Sequence, residues 1–134
     1  MKVDSSFGPI DIAISGMRAQ GQNMELISSN VANAQTLDNG NGQPYRRVEA
    51  AFTTDGKQIG GVSVDDVLED MSDFPKILKP GHPLADAQGY LTMPNVDVPV
   101  EMINLNTAVR TYQANAAVLK RYQGMVETTL ELLR

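Results

Sequence analysis

Apolar residues return every seven positions at both ends of this chain. Leu105, Tyr112, Leu119, Val126 and Leu133 make one ladder; Met102, Val109, Ala116, Gln123 and Leu130 make a second, and the two interleave at steps of three and four. That spacing belongs to a helix that lays one seam along another helix. At the other end Ile10, Met17, Met24 and Val31 repeat at the same interval, with Ala13, Gln20, Ile27 and Ala34 three residues after each. The pattern predicts a first helix from Pro9 to about Ala34, roughly 37 Å long, and a last helix from about Val100 to Leu133, roughly 50 Å long. Pro9 and Pro99 suit first turns, where proline's missing N–H leaves no bond unmade, and Ser6 stands upstream as a candidate cap.

Between the ladders the period changes. Leu37 to Pro44 holds Asp-Asn-Gly-Asn-Gly, a cluster of turn formers, and reads as a loop. Tyr45 to Thr54 alternates as a strand does, Gly60–Gly61 marks a turn, and Val62, Val64 and Val67 begin a second strand. Phe74 to Pro80 reads as an extended segment held by its prolines. Gly81 to Gly89 is a loop, Tyr90 to Met93 a short strand, and Pro94 to Pro99 an extended approach to the last helix. The expected fold is α+β: long N- and C-terminal helices paired as a coiled coil, around a small β-rich middle. The corresponding division of the chain is 1–36, 37–98 and 99–134.

The first helix has an unusual polar face. Between Pro9 and Thr36 its only charges are Asp11, Arg18 and Glu25; the rest of that face is serine, glutamine and asparagine. A helix facing water normally carries many charges, whereas packed interface cores are depleted of them. Gly16 and Gly21 allow close approach, yet each weakens an isolated helix by up to about 1 kcal/mol. The segment is therefore expected to be helical when other helices surround it. Ionised side chains at Met17, Met24, Leu119 or Val126 should block assembly while leaving expression intact.

The 134 residues suffice for one ordinary domain, and with no tryptophan and seven other aromatics the middle has few large residues for a core. Marginal stability of the isolated chain follows. A net charge of −5, with Arg46–Arg47 and Lys120–Arg121 as the only adjacent basic pairs, argues against nucleic acid and anionic membranes as partners. The absence of cysteine removes thiolate metal sites, thiol catalysis and disulfides. No apolar run approaches a membrane-spanning length, and residues 1–8, small and polar, lack the apolar stretch of a cleaved secretory leader.

Candidate chemistry is sparse. His82, the one histidine, lies in a loop between Gly81 and Pro83 with no second histidine to share a metal. Asp65, Asp66, Glu69, Asp70 and Asp73 lack the glycine and terminal glutamate of a calcium loop and read as a solvated acidic edge. Gly40-Asn41-Gly42 and Gly60-Gly61 have no phosphate-binding lysine and read as turns. No catalytic residue, cofactor, metal or small-molecule ligand is expected. The residues expected to carry function are packing positions, Ile10, Met17, Met24, Ile27, Val31, Met102, Leu105, Val109, Tyr112, Leu119, Val126 and Leu130, as an assembly interface.

Several segments resemble a known family. Asn30-Val31-Ala32-Asn33-Ala34-Gln35-Thr36, followed by Tyr45-Arg46-Arg47, is similar to the N-terminal signature of bacterial flagellar rod and hook proteins. The block Pro80-Gly81-His82-Pro83-Leu84-Ala85-Asp86, with Gly89-Tyr90-Leu91-Thr92-Met93-Pro94-Asn95-Val96, Glu101-Met102-Ile103-Asn104 and Tyr112-Gln113-Ala114-Asn115, is more specific and resembles the proximal-rod members. Leu-Asp-Asn-Gly-Asn-Gly-Gln-Pro after Thr36 departs from the Pro-Gly-aromatic of wider relatives.

The resemblance implies a structural subunit of the basal-body rod, the drive shaft that carries torque from rotor to hook. It implies helical polymerisation with other rod proteins, the inner-membrane ring, rod-base proteins and copies of itself. It also implies export through the flagellar type III apparatus without a cleaved signal, to a periplasm-spanning location. Two rivals predict otherwise. A cytoplasmic helical adaptor or export chaperone dimerising through the same heptads would stay in the cell with well-folded ends. A small hydrolase using Asp86 and His82 would need a pocket, and would lose activity with His82→Ala.

Overall fold

A computed structural model describes residues 8–55 and 60–133. The element order is α1 (Pro9–Ala32), β1 (Val48–Asp55), β2 (Gly61–Glu69), β3 (Lys76–Leu78), β4 (Tyr90–Thr92) and α2 (Val98–Leu132). The chain is α+β, with two long helices packed on each other and two small antiparallel hairpins between them in sequence.

The helix ends follow from local chemistry. The cap position of α1 falls to Gly8, whose N–H donates to Asp11 Oδ2 at 3.1 Å and whose carbonyl accepts from Ile12 N–H at 3.1 Å; Ser6 lies outside the described residues. α1 stops at Ala32, two residues short of expectation. There Asn33 donates from its N–H and its Nδ2 to Ser29 O, and Thr36 Oγ1 donates to Asn33 Oδ1 at 3.1 Å. Ala34 N–H then bonds Val31 O, three residues back, so the last turn tightens and the chain leaves the helix. α2 begins two residues early because Asp97 caps it, accepting from Val100 N–H at 3.3 Å.

The helices run antiparallel: Asn30 meets Glu101 near one end, and Gly16 meets Asn115 further along. Their seam is built of small and polar residues. α1 buries Ala13, Gly16, Ala19, Ile27 and Asn30, and α2 buries Glu101 and Ala108. At Gly16 a β-carbon would stand 2.7 Å from Asn115 Nδ2, so any larger residue there would have to displace the Asn115 carboxamide. Within the chain the seam is therefore rotated relative to the largest apolar ladders. Ala13–Gln20–Ile27 and Leu105–Tyr112–Leu119 face inward, joined by Gly16–Asn23–Asn30 and Glu101–Ala108–Asn115–Tyr122. Ile10, Met17, Met24, Val31 and Val109 are half-buried at its margins, while Met102, Val126 and Leu130 are exposed.

The β1–β2 hairpin lies along α1 and is pinned at both ends. Val62 N–H donates to Ser15 Oγ at 3.0 Å, and Asn30 grips Val48. Fifteen helical residues span about 22 Å and the six strand steps from Val48 to Thr54, the partner of Val62, about 20 Å, so the two lengths match. The register shifts by one residue at Ala51/Phe52, an irregularity that bends the hairpin. Asp65, Asp66 and Glu69 are exposed on β2. β3 pairs with β4 from Lys76↔Thr92 to Leu78↔Tyr90, so the segment between the prolines forms a strand and not merely an extended tether. Leu91 is the buried residue of that unit.

Candidate functional site

The residues of the sequence motif converge on one buried polar joint, where the end of α1, the start of β1 and the first turn of α2 meet. Asn30 is its centre, 1% exposed. Its Nδ2 donates to Val48 O at 2.8 Å and Glu101 Oε2 at 3.0 Å; its Oδ1 accepts from Val48 N–H and from Tyr45 Oη, both at 3.0 Å. Two donors and two lone pairs exhaust what a carboxamide can do. Towards Val48 the side chain acts as a strand would, taking both the N–H and the C=O of one residue and so fixing where β1 begins.

Glu101 is fully buried. Besides Asn30 it accepts from Arg47 Nε at 2.7 Å. Arg47 Nη1 donates to Glu49 Oε2 at 2.9 Å and reaches Asp70 Oδ2 at 3.5 Å, so one guanidinium serves three carboxylates. Burial alone pushes Arg47 towards losing its charge, but the hydrogen bonds to Glu101 and then Glu49, with their charges, outweigh it. The guanidinium is held charged, its pKa above the usual arginine value. Asp70 is held below the usual carboxylate range, first by the Ser72 N–H and hydroxyl, with Arg47 a smaller contributor.

Asn95 locks the approach to α2 onto the same joint. Its Oδ1 accepts from Arg47 N–H at 2.8 Å, and its Nδ2 donates to Asp70 O at 2.9 Å and Ser72 Oγ at 3.0 Å. Arg46 turns the other way, donating to Asp70 O and Ser72 O while its guanidinium lies 4.2 Å from the centre of the Phe74 ring. No buried side-chain nitrogen or oxygen among the described residues lacks a hydrogen-bond partner.

The remaining motif residues shape the loop between β3 and β4. Asp86 Oδ1 accepts from Gln88 N–H at 3.0 Å and Tyr90 N–H at 2.8 Å, and His82 Nδ1 accepts from Leu84 N–H at 3.2 Å. Both side chains accept hydrogen bonds from the backbone of their own loop. Gly89 has φ +83° beside Pro80, a left-handed conformation that suits glycine. Pro94 is buried, Val96 and Gly81's neighbour His82 are half-buried, and Pro83, Tyr90 and Ala32 are exposed.

The joint holds Asn30, Asn33, Thr36, Tyr45 and Asn95 of the expected motif. It also holds Arg47 and Glu101, which stood in the resembling segments without a role assigned to them, and Glu49, Asp70 and Ser72, which were not among the expected site residues. A signal for Glu101 was present: it is the only acidic residue between Asp97 and Glu127, and it lies seven before Ala108.

The exposed side of α2 is the other notable feature. From Val98 to Leu119 its only charged residues are buried Glu101 and exposed Arg110. Ile103, Thr107, Thr111, Ala114 and Val118 form an exposed stripe on the side away from α1. Thr107 Oγ1 donates to Ile103 O and Thr111 Oγ1 to Thr107 O, while nearby Asn106 Nδ2 donates to Met102 O. These polar groups are satisfied by their own helix, so burying them against a neighbour asks nothing of that neighbour.

Residues 10–36, spanning α1 and its C-terminal turn, match the family described as flagella basal body rod protein. Residues 87–132, spanning β4 and α2, match the C-terminal family of flagellar basal body rod FlgEFG proteins. The chain thus has both terminal signatures of a flagellar basal-body rod protein. The FlgC protein of Escherichia coli O6:H1 is 45% identical over 125 residues, 91% of this chain and 93% of that protein. That of Salmonella typhimurium is 44% identical over the same shares, and that of Bacillus subtilis 32% identical over 96% of this chain and 98% of its own. The chain belongs to the flagellar basal-body rod protein FlgC family.

Proposed function

We propose that this chain is a structural subunit of the flagellar basal-body rod, built to be packed on several sides by other rod proteins. The observation that carries the reading is the exposed side of α2, where Arg110 is the one exposed charge between Val98 and Leu119 and the threonines are satisfied by their own helix, a surface suited to burial but left open by the chain's own fold. Subunits pack through their helices, and the joint around Asn30 and Glu101 ties each helical pair to its hairpin so that torque on one is felt by the other. The finer reading places the subunit in the proximal rod, polymerising helically with copies of itself and with rod-base proteins on the inner-membrane ring. It reaches that position through the flagellar type III apparatus, without a cleaved leader. The interface includes the half-buried margins Ile10, Met17, Met24 and Val31 and the exposed Met102, Val126 and Leu130.

Val118→Asp tests this reading. Val118 is 49% exposed, so an aspartate there leaves the fold intact. The expected result is a variant with parental circular dichroism that is exported but fails to restore rods and motility to a strain lacking the gene. A motile Val118→Asp strain would mean that the stripe is not an assembly surface.

A further inference from the structure

Two Asn-Gly dipeptides follow one another in the exposed loop after α1, Asn39-Gly40 and Asn41-Gly42. In such a dipeptide the glycine nitrogen can attack the carboxamide carbon of the asparagine before it, because glycine has no side chain to shield the nitrogen. An ordered loop hinders or assists that attack according to where it holds the two groups.

This loop is tied by its own polar groups. Asp38 Oδ1 accepts from Gly40 N–H and from Gly42 N–H, both at 2.9 Å. Asn41 Oδ1 accepts from Gln43 N–H at 3.0 Å, a side-chain turn that folds the carboxamide forward along the peptide bond to Gly42. Asn39 N–H donates to Gln43 O at 2.9 Å and closes the base of the loop. The two dipeptides are therefore not equivalent. At Asn41 the attacking N–H already rests on a carboxylate, which is a proton acceptor. The carboxamide oxygen, which gathers negative charge as its carbon is attacked, already holds an N–H donor. Asn39 shares the first arrangement through Gly40, but among the described residues nothing donates to its carboxamide.

We infer that Asn41-Gly42 is a self-modifying site, where Asp38 is the base and Gln43 N–H the oxyanion donor for deamidation. The Gly42 nitrogen gives its proton to Asp38 and bonds to Asn41 Cγ. The bond from Cγ to the side-chain nitrogen then breaks, and that nitrogen takes the proton and leaves as ammonia. A cyclic imide remains. Water opens it at either carbonyl, leaving aspartate or the isomer in which the chain runs through Cγ, with no change of oxidation state. Asp38 and Gly42 line a cleft of about 280 Å³ with Phe74, Leu84 and Leu91. The new carboxylate thus adds a negative charge beside this cleft, to a chain already at −5. The chemistry depends on this loop alone and stands or falls independently of the rod reading.

The test follows the purified chain near neutral pH by peptide mapping with mass spectrometry, scoring deamidation at Asn41 and Asn39 separately. In the folded chain Asn41 should react about tenfold faster than Asn39, and several-fold faster than Asn41 does in urea, where these contacts are lost. Asp38→Asn keeps an oxygen for both glycine N–H groups but removes the base, and should slow Asn41 several-fold with unchanged circular dichroism. Equal rates at Asn39 and Asn41, or an Asn41 that reacts more slowly folded than unfolded, would overturn the proposal. An Asp38→Asn chain that reacts at the parental rate would overturn the role given to Asp38.

Discussion

Glu101→Ala strikes the joint at its most buried point. The carboxylate is 0% exposed, accepts one hydrogen bond from Asn30 and one from Arg47, and makes the shortest and most buried of Arg47's three ionic contacts. Alanine leaves an Asn30 N–H facing a void and an inward Arg47 N–H without its acceptor. Removing one partner of a buried ion pair costs about 3–5 kcal/mol. Arg47 keeps Glu49 and Asp70 at the rim, which argues for the lower end, about 3 kcal/mol, with about 1 kcal/mol more for the orphaned Asn30 donor. The described core is slight: its buried apolar residues are Ala13, Ala19, Ile27, Leu91 and Ala108. Against a typical domain stability of about 5–15 kcal/mol, and near the low end of it for so small a core, a loss of about 4 kcal/mol leaves a margin of about 1 kcal/mol and roughly one molecule in six unfolded.

The assay is urea denaturation followed by far-ultraviolet circular dichroism on the parent, Glu101→Ala, Arg47→Met and the double variant. The structure predicts that the double variant is more stable than the sum of the single losses implies, with a coupling of at least about 1 kcal/mol, because neither charge is then left alone. A Glu101→Ala midpoint within about 0.5 kcal/mol of the parent, or strictly additive losses, would refute the account of the joint as a mutually dependent network.

Other expectations follow from the same geometry. Gly16→Val should destabilise the chain by about 1–3 kcal/mol through overpacking against Asn115, with part of the loss restored by Asn115→Ala. Gly21→Ala, where a β-carbon meets nothing within 4 Å, should instead stabilise it by up to about 1 kcal/mol in the same urea titration. Asp70 has its pKa lowered in the fold, so its contribution is fully present above the unfolded value near about pH 4 and is lost as pH falls through the lower folded value. The urea midpoint should drop across that acidic window, and Asp70→Asn should flatten the drop.

The terminal helices were legible because the heptad spacing runs through most of both, and the boundaries missed by two residues are those set by side chains. Asn33 and Thr36 end α1 early, and Asp97 starts α2 early. The strands were legible from alternation and turn residues, except that a three-residue strand between prolines gives too short a run to show its period. The seam was only half legible. One ladder of each helix faces inward, but its companion holds glycine, asparagine, alanine and glutamate, residues that periodicity of large apolar side chains does not count. The joint was visible as a motif without its mechanism. Asn30, Tyr45, Asn95 and Glu101 all stood in resembling segments, but the pairing of Asn30 with Glu101 spans 71 positions and leaves no local trace.

That inversion of the seam has a physical reason in a subunit meant to be surrounded. Apolar area is buried wherever it removes most water, and in a self-contained protein the largest side chains go to the chain's own core. Here the contact between the two helices mixes Ile27, Leu105, Tyr112 and Leu119 with residues small enough for close backbone approach, and a saturated amide and a buried carboxylate add specificity. Ile103, Val118, Met125, Leu130 and Leu132 are left outside, all exposed and all on α2. By contrast, none of α1's large apolar side chains is among the exposed ones, since the hairpin and α2 cover it from two sides. α1 is thus the axis around which the chain folds, and α2 is the element it offers outward. Substitutions on α1's inner face should act on folding first, and those on α2's outer face on assembly first, although both helices carry the same heptad signature.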